Sequence, residues 1–382
     1  MLSIRALRMY NYFYFSLLSI FISFLPVYLT SRGMSMAETG MMIGTGSFIG
    51  ILSQPFWGYQ SDKYRTVKKV LLLTLSLATV TGAVLFSAKE FAYLFPLVGL
   101  MYFFFLPSDP LTENLNVRLS ERMGVSFGAV RMFGAIGYAS TSLIVGLLSD
   151  WFGLGSFAWM FAGYGVIVLL ILSRLPDVTT QPKSISVKDL WKFLTYRKTV
   201  LFFTLVLITA IPHRMNDNFL GVYVQSLGGS TAMVGLAWFV AAVSEIVFFA
   251  WSARFVRSGN EVMLISAAAV LYAVRYLLTS MLTTPLGVVG LQLLQGVTFV
   301  VFYTASISYL NRIVPEEWRA TGMTLLAVLF FGVSGIVGSF FGGWVFEQFG
   351  GSTLYLVMAA LSGCGFLFSI IMRKERKGTP DE

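Results

Sequence analysis

Ionisable side chains stand inside long apolar segments of this 382-residue chain. A charge at the centre of a bilayer costs at least about 2.5–3.5 kcal/mol, so such residues normally line a cavity or pair with one another. The acids and arginines concerned, together with the single histidine, are Asp109, Glu113, Arg131, His213, Arg214, Asp217, Glu245 and Arg275. If each arginine pairs with one carboxylate, one carboxylate is left over. Because burial disfavours its charged form, that carboxylate is a natural proton carrier.

These pairs also indicate a kind of solute. A guanidinium beside a carboxylate, as Arg131 and Glu113 would provide, suits hydroxyl-rich or carboxylate ligands, because the planar fork binds two oxygens at once. Two positions have simpler alternatives. Asp109 lies between two prolines and can cap a kinked segment, and Asp217 can pair with Arg214 within one helix.

The composition requires a membrane around most of the chain. Hydrophobic residues make up 56% of it and charged residues only 12%, whereas a soluble domain carries about 25% charged residues. One transmembrane helix needs about 20 apolar residues. Apolar runs separated by turn or charge signals predict twelve spans, at residues 8–30, 37–58, 69–88, 91–116, 127–150, 155–173, 199–226, 231–252, 261–281, 285–309, 320–346 and 352–372.

The same composition excludes several functional classes. The single cysteine, Cys364, cannot form an internal disulfide, and with one histidine it cannot build the usual kind of zinc site. No GxxxxGK[ST] phosphate-binding loop occurs, and no motif for a nucleophile is present. We therefore predict a protein that is not an enzyme and uses neither metal nor cofactor. The net charge of +9 follows the loops, so it does not indicate a nucleic-acid partner.

The distribution of lysine and arginine predicts the orientation. With twelve spans both termini lie on one side, which receives 22 of the 27 basic residues, while the opposite side has only Arg32 and Lys89. Basic loops stay in the cytoplasm. Both termini are therefore predicted to be cytoplasmic, in the cell membrane. The first span has no clear cleavage site and is predicted to be a retained helix.

One loop is longer and more polar than the others. Residues 174–198 contain two prolines and an amphipathic piece at 187–194, whose simplest interpretation is a surface helix. This linker divides the chain into an N-terminal half, 1–173, and a C-terminal half with a short basic tail, 199–382. Two six-helix halves joined by a cytoplasmic linker are the architecture of the major facilitator fold.

The loop after the second span carries a motif of that superfamily. Its sequence, GYQSDKYRTVKK at residues 58–69, resembles the signature G-x-x-x-D-[RK]-x-G-[RK]-x-[RK]. The resemblance implies that Gly58, Asp62 and Lys63 form a latch, in which the glycine permits close packing and the aspartate caps a neighbouring helix and pairs with a base. Arg65 occupies the position where the signature has glycine.

Two longer stretches resemble the sugar- or nucleoside-proton symporters of the superfamily: SQPFWGYQSDK at 53–63 and FGAVRMFG at 127–134. This resemblance implies that Glu113 and Arg131 bind sugar, and that Tyr138 replaces a tryptophan that stacks on the sugar ring. It also implies that Glu245 binds hydroxyls and senses the proton state, with Arg275 beside the proton carrier.

The chain departs from these symporters in the tenth span. Gln295 and Thr298 occupy the positions of a histidine and of the glutamate that carries the proton, and neither titrates near pH 7. Proton coupling therefore needs another buried acid. Glu245 has no base within a helical turn, and only Arg275 on the next span could neutralise it, so Glu245 is the first candidate.

We therefore predict an all-α membrane protein of twelve helices that moves a sugar or nucleoside by alternating access, in symport with protons. The predicted solute-binding residues are Glu113, Arg131, Tyr138, Glu245, Arg275 and Gln295. The candidate proton carriers are Glu245, Asp217 and His213, although His213 can equally be a hydrogen-bonded core residue. The alternatives are an efflux pump for drugs or sugars and an aromatic-acid permease. The predicted partners are the solute, protons and lipid, and the chain is predicted to be a monomer.

Overall fold

The structure is a computed structural model that describes residues 4–178, 196–256 and 259–378. Most of the predicted linker, including its amphipathic piece, lies outside these residues. No strand occurs among the described residues, which confirms the predicted all-α class. The α-helices are α1 (Ile4–Ser31), α2 (Met36–Lys63), α3 (Val67–Leu85), α4 (Phe91–Phe105), α5 (Ser108–Met123), α6 (Phe127–Phe152), α7 (Ser156–Arg174), α8 (Arg197–Ser226), α9 (Thr231–Phe255), α10 (Glu261–Met281), α11 (Pro285–Leu291), α12 (Val301–Ile313), α13 (Arg319–Ala327) and α14 (Ser334–Gly378).

Ten described stretches are long and apolar enough to cross a membrane, so the chain is a multi-pass membrane protein. The last of them, Thr321–Met372, is 52 residues long and contains Gly350, whose φ of 82° and ψ of 167° are not helical. Helix α2 is not among the ten, because glycine, serine and threonine make its sequence more polar. The predicted count of twelve spans stays a prediction.

Local sequence signals explain where the helices begin and end. Ser35 and Glu38 form a capping box at the start of α2, in which each side chain accepts a hydrogen bond from the other residue's backbone N–H. The span predicted at 91–116 is divided into α4 and α5 at Pro107, which cannot donate a helical hydrogen bond. Gly124 has a φ of 64° and reverses the chain between α5 and α6.

We divide the helices at the linker into two groups, α1–α7 and α8–α14. Helix α1 packs on α6 and α7, and α3 packs on α4 and α7, while α14 packs on both α8 and α10. The most extensive contacts between the groups join α2 with α14 and α6 with α9, and α1 also packs on α8. Short turns reverse the chain after α1, α2, α3, α5, α6, α8 and α10. We call the side where α1 begins the near side, and the side of the turns at 32–35, 153–155 and 227–230 the far side.

Backbone contacts close the far side of the bundle. A Cβ added at Gly40 of α2 would overlap the carbonyl oxygen of Ser339 and lie 3.0 Å from the Cα of Gly343, both on α14. A Cβ added at Gly146 of α6 would lie 3.1 Å from the Cα of Gly235 on α9. Small residues let helix backbones approach this closely. We call these two helix contacts the far-side closure.

At each contact of the far-side closure, a carboxylate of one group accepts a hydrogen bond from the backbone of the other group. Glu347 Oε2 of α14 accepts a hydrogen bond of 2.7 Å from the N–H of Met36, at the start of α2. Asp150 Oδ2 of α6 accepts one of 3.2 Å from the N–H of Ala232, at the start of α9. A negative charge is stabilising at a helix N-terminus. The two groups therefore cap one another's helices.

The near-side glycines of α2 and α6 make no backbone contact of this kind. A Cβ added at Gly58 or Gly128 would have nothing within 4 Å, unlike one at Gly40 or Gly146 of the same helices. A cavity of about 450 Å³ follows α5 toward the near side and is lined by Glu113, Asn114, Val117, Arg118 and Glu121. The bundle is thus closed at one end and accessible from the other.

We expect removal of the two crossing charges to loosen the far-side closure. A charge at a helix N-terminus is worth about 0.3–1 kcal/mol, so Asp150→Asn with Glu347→Gln should favour opening by roughly three- to thirtyfold. The reporter is Thr39→Cys, a fully buried position next to Gly40, in a Cys364→Ala background. Its maleimide labelling rate in membranes should rise in that range.

The matched control for this experiment is Glu38→Gln, because glutamine also serves in a capping box and Glu38 caps α2 from within its own group. Its labelling rate should equal that of the reporter protein. An unchanged rate in the variant that lacks both charges would show that the glycine contacts alone hold the far side closed.

Candidate functional site

Arg131 and Glu113 form an ion pair at the inner end of the near-side cavity. Arg131 Nε lies 2.7 Å from Glu113 Oε1, and the two side chains are 37% and 31% exposed. The guanidinium also lies over the ring of Phe15, 3.8 Å from its centroid. Ser126 caps the start of α6, and the Gly124 turn brings α6 back along α5, so the chain places this pair locally.

The pair keeps unused capacity for hydrogen bonds. Glu113 Oε2 is buried and has no hydrogen-bond partner among the described residues. Because only Nε of Arg131 contacts the glutamate, the other face of its fork stays available. Glu113 lines the cavity and Arg131 contacts Glu113, so we expect a ligand at this end of the cavity to meet both groups. This geometry agrees with the ligand chemistry inferred from the two residue types.

Tyr138 lies two turns further along α6, between the two groups of helices. Its hydroxyl is 2.9 Å from Ser23 Oγ on α1. Its ring meets the ring of Trp238 on α9 edge to face, with centroids 6.2 Å apart and planes at 71°. The sequence identifies Tyr138 but gives no signal for Trp238 or Ser23, because their contacts arise from packing between separate helices.

Arg275 is fully buried and held by neutral side chains. Its guanidinium donates to Gln295 Oε1, to Gln292 Oε1 at 2.5 Å and to Thr298 Oγ1 at 3.2 Å. The three acceptors flank an irregular part of the tenth span, where a 3₁₀ segment, Gln292–Leu294, is followed by a π-helical segment, Gly296–Val300. A guanidinium has five N–H donors and no acceptor. These three oxygens serve its two terminal nitrogens, while its buried Nε has no hydrogen-bond partner among the described residues.

Gln295 connects Arg275 to Glu245. Its Nε2 donates to Glu245 Oε1 at 3.0 Å, while its Oε1 accepts from Arg275. The sequence predicts Arg275 as the base that neutralises Glu245 and Gln295 as a solute ligand. The structure instead places the glutamine between them, and at 2% exposure both ends of its amide are occupied. Gln292 was missed, although its position three residues before Gln295 was a usable signal.

On α8, Arg214 and Asp217 form an ion pair within one helix, which is the simpler alternative for Asp217 given above. Arg214 Nη1 lies 2.7 Å from Asp217 Oδ2, and His213 Nε2 lies 3.5 Å from the same oxygen. The His213 ring stacks on Phe299 with centroids 4.8 Å apart, and its Nδ1 is 3.3 Å from the Tyr272 hydroxyl. Asp217 Oδ1 has no hydrogen-bond partner among the described residues.

Two acids, rather than one, are left without a base. Arg131 pairs with Glu113 and Arg214 with Asp217, while Arg275 is bound by neutral groups. Within the described ranges, neither Glu245 nor Asp109 forms an ion pair. Asp109 lies in the first turn of α5, two residues after Pro107, which agrees with a position at a kinked segment.

The loop signature is arranged differently from its expected form. The Asp62 side chain has no ion pair or hydrogen bond to any described residue, so it does not cap a neighbouring helix here. The capping carboxylate is Asp177, beyond α7, which accepts from the Thr66 hydroxyl and from the N–H of Lys68 at 2.9 Å. Arg65 has a φ of 51°, a left-handed conformation that explains why the signature has glycine there.

Comparisons with known proteins agree with this fold. A family model described as the MFS_1 like family matches residues 4–357. The chain belongs to this family. Maltose permease of Geobacillus stearothermophilus is 26% identical to this transporter over 379 residues, which cover 97% of this chain and 95% of the permease. The probable 3-phenylpropionic acid transporter of Escherichia coli strain K12 is 27% identical, with coverage of 94% and 95%.

Solved structures give the same fold. The crystal structure of the nucleoside transporter NupG superposes on this transporter with a TM-score of 0.86 at 18% identity, covering 97% of this chain and 99% of NupG. The resemblance inferred from residues 53–63 and 127–134 is therefore confirmed. The protein is a membrane transporter of the major facilitator superfamily, whose members are not enzymes.

We expect the Arg275 cluster to stabilise the fold as a unit. Gln292→Met leaves buried guanidinium N–H groups without an acceptor, which should lower the free energy of unfolding by about 1–3 kcal/mol. Arg275→Met with Gln292→Met removes both partners and should recover part of that loss. In a double-mutant cycle of unfolding in detergent, the coupling between them should reach about 1 kcal/mol.

The control for this cycle is Gln225→Met, a glutamine at the far-side end of α8. It should leave unfolding nearly unchanged. Strict additivity of the Arg275 and Gln292 substitutions would contradict the view that the two side chains act together.

Proposed function

We propose that this transporter moves a small polar solute, a sugar or a nucleoside, in symport with protons. The observation that carries the proposal is the Arg131–Glu113 pair at the inner end of an open cavity, with one carboxylate oxygen and one face of the guanidinium unused. The names of its relatives, a maltose permease and the nucleoside transporter NupG, support this solute class.

We assign twelve spans to the chain, in two six-helix halves, 1–173 and 199–382, joined by the linker 174–198. Gly350 divides the last long helical stretch, and α2 supplies a span too polar to stand out by hydropathy. Two such halves can rock about a central site, which is what alternating access requires.

The distribution of lysine and arginine supports placing the near side, with both termini, in the cytoplasm. In that orientation the far-side closure faces the outside of the cell, and the cavity opens to the cytoplasm. The described state then corresponds to the one that releases an imported solute. Gly58, Asp62 and Lys63 would act in the opposite state, which explains why Gly58 has open space here.

We expect Arg131 to be indispensable for solute binding. Arg131→Ala should abolish binding, and Arg131→Lys should weaken it by roughly ten- to hundredfold, because a point charge cannot replace a fork whose charged hydrogen bonds are worth about 1.5–3 kcal/mol. The measurement is a thermal-shift and calorimetric titration of purified protein with maltose and uridine. Arg174→Lys, at the near-side end of α7 and outside the cavity lining, is the control and should bind normally. If a folded Arg131→Lys protein bound the solute with wild-type affinity, the Arg131–Glu113 pair would not be part of the solute site.

Glu245 is our candidate for the proton carrier, ahead of Asp217 and His213, because it faces the site without a base in contact. Glu245→Gln should exchange solute down its gradient but should not accumulate it when a pH gradient is imposed. Glutamine at this position can still accept the hydrogen bond from Gln295, so the fold should be preserved. Transport by reconstituted vesicles measures both activities.

The control for the coupling experiment is Glu121→Gln, at the near-side end of the cavity, which should accumulate solute normally. Proton-driven accumulation by Glu245→Gln would refute the assignment. Wild-type transport that ignores pH and follows sodium or solute exchange would refute proton symport itself.

An aromatic acid is a second candidate solute. The relative named a probable 3-phenylpropionic acid transporter matches nearly the whole chain. An arginine fork binds a carboxylate, and Phe15, Tyr138 and Trp238 supply aromatic surface nearby. Binding of 3-phenylpropionic acid in place of maltose and uridine, in the same titration, would favour this solute.

A further inference from the structure

Trp238 carries a donor that nothing in the described protein satisfies. The side chain is only 7% exposed, and its Nε1 is buried without a hydrogen-bond partner among the described residues. Indole N–H is a donor only, and buried tryptophans usually find an acceptor for it. A buried donor without a partner is unfavourable, so this one needs an explanation.

The position of Trp238 follows from the register of two facing helices. On α6, Tyr138 comes seven residues after Arg131, and on α9, which runs the other way, Glu245 comes seven residues after Trp238. Seven residues are about two turns, or about 10.5 Å along one helix face. The two aromatic rings therefore form one level of the interface, and the two charged residues form another.

One contact agrees with this arrangement. The Tyr138 and Trp238 rings meet edge to face, with their centroids 6.2 Å apart. The far-side closure follows directly beyond the aromatic level, because Gly235 is one turn before Trp238 on α9. The aromatic pair is therefore the last layer between the site and the closed end of the bundle.

We propose that Trp238 is a solute-contacting residue, whose indole N–H donates to an acceptor on the solute while its ring covers one face of a solute ring. The inference rests on the proposed solute site at Arg131 and Glu113. It adds a requirement for the solute: a ring with an apolar face and an acceptor oxygen or nitrogen, at some distance from the part that Arg131 binds. A sugar ring oxygen or a nucleobase carbonyl meets that requirement, whereas an unsubstituted phenyl ring does not.

The test removes the N–H and keeps an aromatic ring. Trp238→Phe should weaken the binding of maltose or uridine, whichever the wild-type protein binds, by about tenfold, which corresponds to about 1.4 kcal/mol. Trp238→His, which restores a ring N–H, should recover part of the affinity. Trp251→Phe, an exposed tryptophan on the same helix, should bind as the wild type does. Thermal unfolding in detergent confirms that each variant is folded.

The outcomes separate this inference from the one on which it rests. Normal affinity in Trp238→Phe, or equal losses in Trp238→Phe and Trp238→His, would overturn the hydrogen bond and leave the solute site intact. A wild-type protein that binds neither maltose nor uridine but does bind 3-phenylpropionic acid would overturn the sugar or nucleoside proposal and, with it, the acceptor assigned to Trp238. Loss of intrinsic fluorescence response to the solute in Trp238→Phe, but not in Trp251→Phe, would support direct contact.

Discussion

A guanidinium that cannot reach water needs acceptors from the protein, and the two terminal nitrogens of Arg275 impose this requirement on the C-terminal part of the site, although its Nε has no acceptor among the described residues. Six residues of a regular α-helix make about 1.7 turns, which would rotate Gln292 and Thr298 away from one another. The 3₁₀ segment and the π-helical segment change that rotation, and the three acceptors converge on Arg275. Since the oxygen of Gln295 must face the arginine, its nitrogen must face Glu245.

This orientation gives the glutamate an unusual environment. Glu245 accepts a hydrogen bond whose donor is itself polarised by a buried cation, but it has no base in contact. The cation thus acts through one amide. A change in the charge of Glu245 would alter the electrostatic field at the amide nitrogen of Gln295, while the amide oxygen stays bound to Arg275. The Gln295 amide therefore links Glu245 on α9 to Arg275 on α10.

The sequence was informative where a contact is set by local geometry. The pair of Arg214 and Asp217 needs only the rise of one helix, and the pair of Arg131 and Glu113 needs only a short turn between two helices. The fold class followed from composition. In contrast, the bridge through Gln295 depends on how α9 and α10 are rotated against the irregular tenth span, which hydrophobic periodicity does not encode.

The same reasoning explains the other differences. Asp177 caps α3 from a segment more than 100 residues away, so no spacing rule could choose it over Asp62, which is nearby in sequence. Arg65 was recognised as a departure from a glycine position, and its left-handed backbone shows why that position is restrictive. The contact of Tyr138 with Trp238 joins the two packing groups, and only their relative placement reveals it.

The far-side closure has a consequence for hydration. Glycines carry no side chain, so opening this end uncovers backbone, together with buried neighbours such as Thr39 and two carboxylates that have lost their helix N–H partners. These groups must then bind water. The open form therefore binds more water than the closed form. Osmolytes that are excluded from protein surfaces, such as sucrose, should for this reason favour the closed far side.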